Sequence, residues 1–161
     1  FVMVTGKGAN DRPRLDAAAG FGADLAVDID EQDPVAALRA ATGGPGASVV
    51  VDVTANAPDA LGQAVRMSAP EARIVLAGTR NSTETPGFDP DHIVFKELRL
   101  IGALGVDAPA YLAALDLLAG DRYPFRTVPR RVEPLEGAAE LLATMAGEGD
   151  APPPVHAVLV P

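Results

Sequence analysis

Apolar residues in this chain fall into two alternating kinds of segment. Short runs without internal period, VMVTG (2–6), LAVDI (25–29), SVVVDV (48–53), ARIVLAG (72–78), LRLIGA (98–103) and VHAVLV (155–160), are strand-sized and rich in Val and Ile. Such runs predict strands of a parallel sheet, and the unbroken valines of SVVVDV predict burial on both faces. Between them lie stretches with helical spacing. Asp11 to Gly20 predicts a helix with Pro13 in its first turn and Gly20 and Gly22 near its end. Asp33 and Pro34 are the N-cap and first-turn pair of VAALRAA, which stops at Gly43 and Gly44, and Pro58 to Met67 predicts the next helix. Tyr111, Leu115 and Leu118 fall at i, i+4 and i+7 of a helix opened by Asp107 and Pro109; Leu135, Ala139, Leu142 and Met145 share a face of the last helix. Strand and helix alternate, so the fold class is α/β with a mostly parallel sheet. The polar, Gly- and Pro-containing stretch Thr79 to Phe88 predicts a long loop at the carboxyl end of a strand, where loops cover the ligand crevice of doubly wound sheets.

Composition excludes several functions. The chain has 161 residues, 48% apolar and 22% charged, which is globular composition. Its formal charge of −9 and the lack of a basic cluster beyond Arg126, Arg130 and Arg131 argue against a nucleic-acid partner. The longest apolar runs are strand-sized and broken by Asp, Gly or Arg, so no membrane span is expected. Without cysteine there is no disulfide, no thiolate nucleophile and no cysteine-ligated zinc. A cytoplasmic location is the default in the absence of a targeting signal.

Candidate chemistry begins at the first turn. A strand, then Gly6-Lys7-Gly8, a helix, and Asp28 about 20 residues on have the layout of a dinucleotide fingerprint. The third glycine position, however, is Asp11, whose charge would face a pyrophosphate. An ordinary glycine-containing turn fits equally well. His92, in PDHIVFKE, has no Cys or second His at metal-ligand spacing, and no Ser-His-Asp or paired-carboxylate set can be assembled. The chain therefore offers no catalytic residue and no metal ligand; its many acids sit at helix starts and strand ends, where capping accounts for them.

The segments FGADLAVDID, TGGPGASVVVDVT, ARIVLAGT, FKELRLIGALG, PLEGAAELL and VHAVLVP, in that order and spacing, resemble the coenzyme-binding half of the medium-chain dehydrogenase/reductase family, the zinc-type alcohol dehydrogenases and their relatives. The resemblance covers nearly the whole chain. It implies that VMVTG is the second strand of a Rossmann-type doubly wound parallel sheet, and that the first strand, the G-x-G-x-x-G turn, its helix and the catalytic domain with its zinc ligands are missing. The expected fragment is thus an incomplete Rossmann domain over 1–126, in strand order 3-2-gap-4-5-6, with a tail over 127–161 belonging to the catalytic domain. The intact enzyme would use NAD or NADP, with zinc held outside this chain, to move hydride between a small alcohol or carbonyl substrate and nicotinamide. A zinc-independent quinone or enoyl reductase, or a non-catalytic nucleotide-binding α/β module, are the alternatives.

Carried over position by position, the resemblance implies that Gly6 and Lys7 face the adenosine ribose, with Asp11, Arg12 and Arg14 farther along. Thr54 in VDVTANAP lines the crevice, although Ala55 stands where relatives often have glycine. Ala77, Gly78, Thr79, Gly102, Ala103 and Leu104 flank the nicotinamide end, and His156 takes the place of an Arg that reaches the pyrophosphate in some relatives. Each has a purely structural reading beside it: a solvated lysine, a strand-to-helix connector, turn glycines, a histidine of an apolar strand. The edge strand Leu98 to Ala103, apolar and without Pro, would join two copies into a homodimer or tetramer.

Overall fold

The computed structural model describes residues 1–81, 84–148 and 151–161, so Ser82 and Thr83 of the expected 79–88 loop lie outside the described residues. Along the chain run β1 (Met3–Gly6), α1 (Gly8–Ala18), β2 (Leu25–Asp28), α2 (Pro34–Thr42), β3 (Ala47–Asp52), α3 (Ala60–Met67), β4 (Ser68–Leu76), α4 (Asp91–Lys96), β5 (Arg99–Gly102), α5 (Ala108–Ala119), β6 (Arg130–Pro134), α6 (Ala138–Met145) and β7 (His156–Val160). They form two compact units, one of Phe1–Gln32 with Ala108–Pro161, the other of Asp33–Asp107.

In the unit Asp33–Asp107, local chemistry sets the helix ends. Asp33 Oδ1 accepts the Val35 N–H at 2.9 Å with Pro34 at the first helical position, and Gly43 closes α2 in the left-handed region at φ 70°. β3, β4 and β5 pair in parallel in that order, with Val50, Ile74 and Leu100 in one row and Val51, Val75 and Ile101 in the next. The first row faces the core, where Leu61, Ala64, Val65, Ala72, Ile74 and Leu98 cluster with Val50, Leu76, Phe88 and Ile93 around them. Lys96, at the end of α4, donates from Nζ to Val65 O and Ser68 O, each at 2.8 Å, and so satisfies carbonyls at the end of α3. Burial, and then the charge of Arg39, hold its pKa below the usual lysine value.

Two expectations change here. β4 starts at Ser68, directly after α3, rather than at Ala72: Ser68 pairs with Ala47 ahead of a register shift. SVVVDV is not buried on both faces, because Val49, Val51 and Val53 are exposed while Val50 packs on the core. A continuous valine run fits a sheet sandwiched by helices; the described residues supply a cover for one face only.

In the other unit, β1 and β2 pair in parallel from Met3 opposite Leu25 to Gly6 opposite Asp28, with α1 as the crossover. This is the expected neighbour relation of the second and third strands. Helix α1 begins at Gly8, three residues before the expected start, because Asp11 Oδ2 accepts the Lys7 N–H at 2.9 Å. Pro13 is therefore interior to the helix rather than in its first turn. Leu15 and Ala18 are its buried residues. Phe21 meets Phe125 edge-on at 5.3 Å between centroids and stacks with Tyr123 at 6.3 Å, tying the two segments of the unit together.

β6 and β7 form a separate parallel pair. Arg131 on β6 binds Glu133 at 2.8 Å and Glu140 of α6 at 2.9 Å. Leu135 lies in the short turn before α6, and it, Leu142 and Met145 face solvent while Leu141 and Thr144 are covered. Helix α5 has no buried side chain, so Tyr111, Leu115 and Leu118 form an apolar stripe that the described residues leave uncovered. Among the described residues no helix is long and apolar enough to cross a membrane.

Candidate functional site

Three parallel strands end side by side in the unit Asp33–Asp107, and their carboxyl ends bring Thr54, Ala77, Gly78, Thr79, Gly102 and Ala103 to one rim. The backbone does much of this. Ala77 N and Gly78 N donate to Asp52 O at 2.8 and 3.2 Å, and Ala103 N donates to Leu76 O at 2.9 Å. A side chain at Gly78 would put its Cβ 1.9 Å from Thr54 O, so only glycine lets the two loops approach this closely. No heavy atom lies within 4 Å of the Cβ position at Gly102, so that glycine is not required by packing among the described residues. Leu104 is exposed just beyond.

Beneath the rim sits an ion pair that the sequence reading did not single out. Asp52, the last residue of β3, is buried, and Arg80 binds its Oδ2. The other carboxylate oxygen accepts the Thr54 N–H at 3.0 Å and the Thr54 hydroxyl at 2.6 Å. Arg80 Nε also donates to Ala57 O at 3.3 Å, while Asn81 Nδ2 donates to Asn56 Oδ1 at 2.7 Å. Asn56 and Asn81 both adopt positive φ, 55° and 49°, a left-handed turn conformation that asparagine takes more readily than other residues with a Cβ. Two loops far apart in sequence are thus laced into one edge. The signal in the sequence was slight: an Asp closing a valine run, and an Arg after Gly78-Thr79.

Gly6 and Lys7 lie in the other unit. A Cβ at Gly6 would come within 2.8 Å of Asp11 Cβ and 3.1 Å of Leu15 Cγ, which explains the glycine by packing alone. Gly8 adopts φ +58°, and its N–H donates to Asp28 Oδ1 at 2.9 Å. The same oxygen takes the Asp30 N–H at 3.0 Å, and Arg12 reaches Oδ2 at 3.1 Å. Asp28 is therefore a clamp that closes the β1–α1 turn onto the end of β2. Arg12 is shared with Glu31 at 2.8 Å, and Arg14 pairs with Asp11 at 3.4 Å. Lys7 is exposed at the helix start. His156 opens β7 opposite Arg130, exposed and in a different sheet from Gly6 and Lys7.

The Gly8 N–H, then the Asp30 N–H, and then Arg12 hold the Asp28 carboxyl below the usual carboxylate range. A depressed folded-state value contributes stability above the unfolded value near ~3.9, lost as pH falls through the folded value. In the full-length protein Asp28→Asn is expected to lower the thermal midpoint at neutral pH, with the gap from wild type closing below about pH 4. Circular dichroism melts across pH test this; a gap independent of pH would show that Asp28 acts by packing.

Among the described residues no group of three or more His, Asp or Glu is placed to hold a metal ion, and the chain has no Cys. The sites expected from the sequence thus divide into a strand-end rim, a clamped turn and a solitary histidine.

Comparison with known proteins places the chain in a family. Residues 2–120 match the family model described as zinc-binding dehydrogenase. A protein named a probable alcohol dehydrogenase in two Mycobacterium tuberculosis strains is 62% identical across the whole of this chain, which spans 44% of that protein's length. An L-threonine 3-dehydrogenase from Symbiobacterium thermophilum is 40% identical over 65 residues, 40% of this chain and 18% of its own. Among solved structures, an NAD-dependent alcohol dehydrogenase superposes over 91% of this chain and 40% of its own, at 28% identity and a TM-score of 0.72. The alcohol dehydrogenase of the archaeon Aeropyrum pernix covers 99% of this chain and 42% of its own at 19% identity, with a TM-score of 0.80 that speaks for the fold. These superpositions identify the paired parallel strands as Rossmann-like, and since the family match runs unbroken from β1 to the end of α5, the chain belongs to the zinc-binding dehydrogenase family.

Proposed function

We propose that this chain is part of an alcohol dehydrogenase and supplies much of the surface on which a nicotinamide coenzyme lies. The observation that carries this is the convergence of Thr54, Ala77–Thr79 and Gly102–Leu104 at the carboxyl ends of parallel strands, the side on which doubly wound sheets hold ligands. Residues 1–126 are then the coenzyme domain without its first strand, and 127–161 a tail of the catalytic domain. The glycine-tight contact at Gly78 fits a flat ring resting on backbone, and Gly102, Ala103 and Leu104 are exposed beside it. Gly6 and Lys7 face the adenosine ribose, and His156 is the candidate for the pyrophosphate. When bound, the coenzyme would supply the acceptor or donor of hydride for the alcohol carbon, and zinc, with ligands outside this chain, would supply polarisation of the alcohol oxygen. Among the described residues no group is placed to hold that zinc.

Between NAD and NADP, the charges favour NAD. Arg12 and Arg14 are already paired with carboxylates, and Asp30 and Glu31 line the cleft beside Gly8, leaving Lys7 to face a 2′-phosphate. The partners are the coenzyme and a small alcohol or carbonyl compound, in the cytoplasm, with no nucleic acid. The family match favours this reading over the zinc-independent reductases and the non-catalytic module.

The full-length protein is expected to oxidise small alcohols with NAD, followed by nicotinamide absorbance, while the 161-residue chain alone turns over with neither coenzyme. Failure of the full-length protein with both coenzymes across a panel of alcohols would refute the proposal. So would turnover by this chain abolished by a point change within it. β5 is an edge strand of its sheet and all four of its residues are exposed, which supports association of two copies along it. Ile101→Lys is the cleaner probe, because Leu100 shares the core-facing row of Ile74. The full-length variant should have a lower mass by light scattering; an unchanged mass rules the edge out.

A further inference from the structure

We propose that Asp52 and Arg80 are positioning residues that make Thr54 Oγ1 a dedicated hydrogen-bond acceptor for a donor of the bound coenzyme, an amide N–H or a sugar hydroxyl. The inference rests on the coenzyme reading above. A threonine hydroxyl has one proton and two lone pairs, so its role toward a ligand depends on where the proton goes. Here it goes to Asp52: Oγ1 stands 2.6 Å from Oδ1, within the usual range of a hydroxyl-to-carboxylate bond. The carboxylate is buried, with its side chain 5% exposed, and Arg80 at 10% exposed binds its second oxygen. Turning the proton toward a ligand would break a charge-assisted bond in a poorly hydrated place, so the hydroxyl is left to accept.

The backbone fixes the same atom. Thr54 N–H is held by the carboxylate oxygen that takes the hydroxyl, and Arg80 bonds Ala57 O on the far side of the turn. Asn56 N donates to Thr79 O at 3.3 Å and Asn81 to Asn56, so the loop carrying Thr54 cannot shift without the loop after β4. Both asparagines sit in the left-handed region, which asparagine accommodates, and their side chains bond across the two loops. Thr54 itself is exposed at the rim, with its anchor below it.

The test measures coenzyme dissociation constants of the full-length protein by calorimetry. Thr54→Val is expected to weaken binding about tenfold and Thr54→Ser to restore it. Asp52→Asn should weaken binding by a similar factor in the wild-type background and cause no further loss beside Thr54→Val, because it acts through that hydroxyl. Losses that multiply, or a Thr54→Val protein with unchanged affinity, would overturn the proposal. If Asp52→Asn does not fold, Arg80→Gln takes its place in the same cycle. An analogue carrying a methyl ketone in place of the carboxamide distinguishes the donors: insensitivity to Thr54→Val assigns the amide N–H, and equal sensitivity assigns a sugar hydroxyl. An unsubstituted protein that binds neither coenzyme would overturn the proposed function itself, and this proposal with it.

Discussion

Gly78→Ala in the full-length protein is expected to remove about 3 kcal/mol of folding stability and to abolish measurable coenzyme binding. The added methyl would stand 1.9 Å from Thr54 O and 2.5 Å from Thr54 C, and both are backbone atoms that cannot swing aside. Gly78 is absent from the residues with positive φ, so the penalty is steric and not conformational. Relief requires moving the end of β4 from the end of β3, which breaks the bonds from Ala77 N and Gly78 N to Asp52 O and displaces Thr54. Denaturant unfolding and coenzyme titration of the same preparation measure both effects. If stability and affinity are both unchanged, the close approach is not a constraint in solution and the rim geometry used here is wrong.

Ile74→Ala is expected to cost about 3 kcal/mol, with coenzyme affinity following stability instead of falling independently. Ile74 is 0% exposed at the middle of the central strand, between Val50 and Leu100 and over Leu61, Val65 and Leu98. Its side chain therefore has packed neighbours from both flanking strands and from α3, and none of them can collapse fully into the space left by its removal. Val51→Ala is the matched control: it is one residue along the neighbouring strand's register but faces away from this core, 58% exposed in the chain as described. In the isolated 161-residue chain, should it fold, that change should cost under about 1 kcal/mol. Urea midpoints compare the two, and equal costs would contradict the one-sided core.

The boundaries of α2 were readable because everything that sets them lies within a few residues: Asp33 caps Val35, Pro34 takes the first position and Gly43 the left-handed end. The alternation of strand runs and helical stretches was readable for the same reason, since period and propensity are local. Alignment of Thr54, Gly78 and Gly102 at one rim was also within reach, because parallel strands in an α/β fold must end on the same side. α1 was misplaced by three residues because Asp11 looked like the start of a helix, whereas its carboxylate reaches back to Lys7 N–H. Which stripe of α6 is covered was not readable at all: both the Leu142–Met145 and the Leu141–Thr144 stripes have helical spacing, and the residues packed around the helix choose between them.

The same division holds at the site. An Asp, an Arg and a Thr near turns look like solvated or capping residues, and nothing in the sequence says that Asp52 and Arg80, 28 positions apart, will meet. They meet because the register of β3 on β4 sets Asp52 opposite Leu76, a few residues before Arg80. By itself, the sequence determined the α/β class, the caps of α2 and the strand-end positions of the candidate site, all of which follow from short-range stereochemistry. Tertiary structure alone decided which faces are covered, that Asp28 is spent as a clamp, and that the Thr54 hydroxyl donates to Asp52, because a buried charge takes its role from the partners that strand register brings within hydrogen-bond distance.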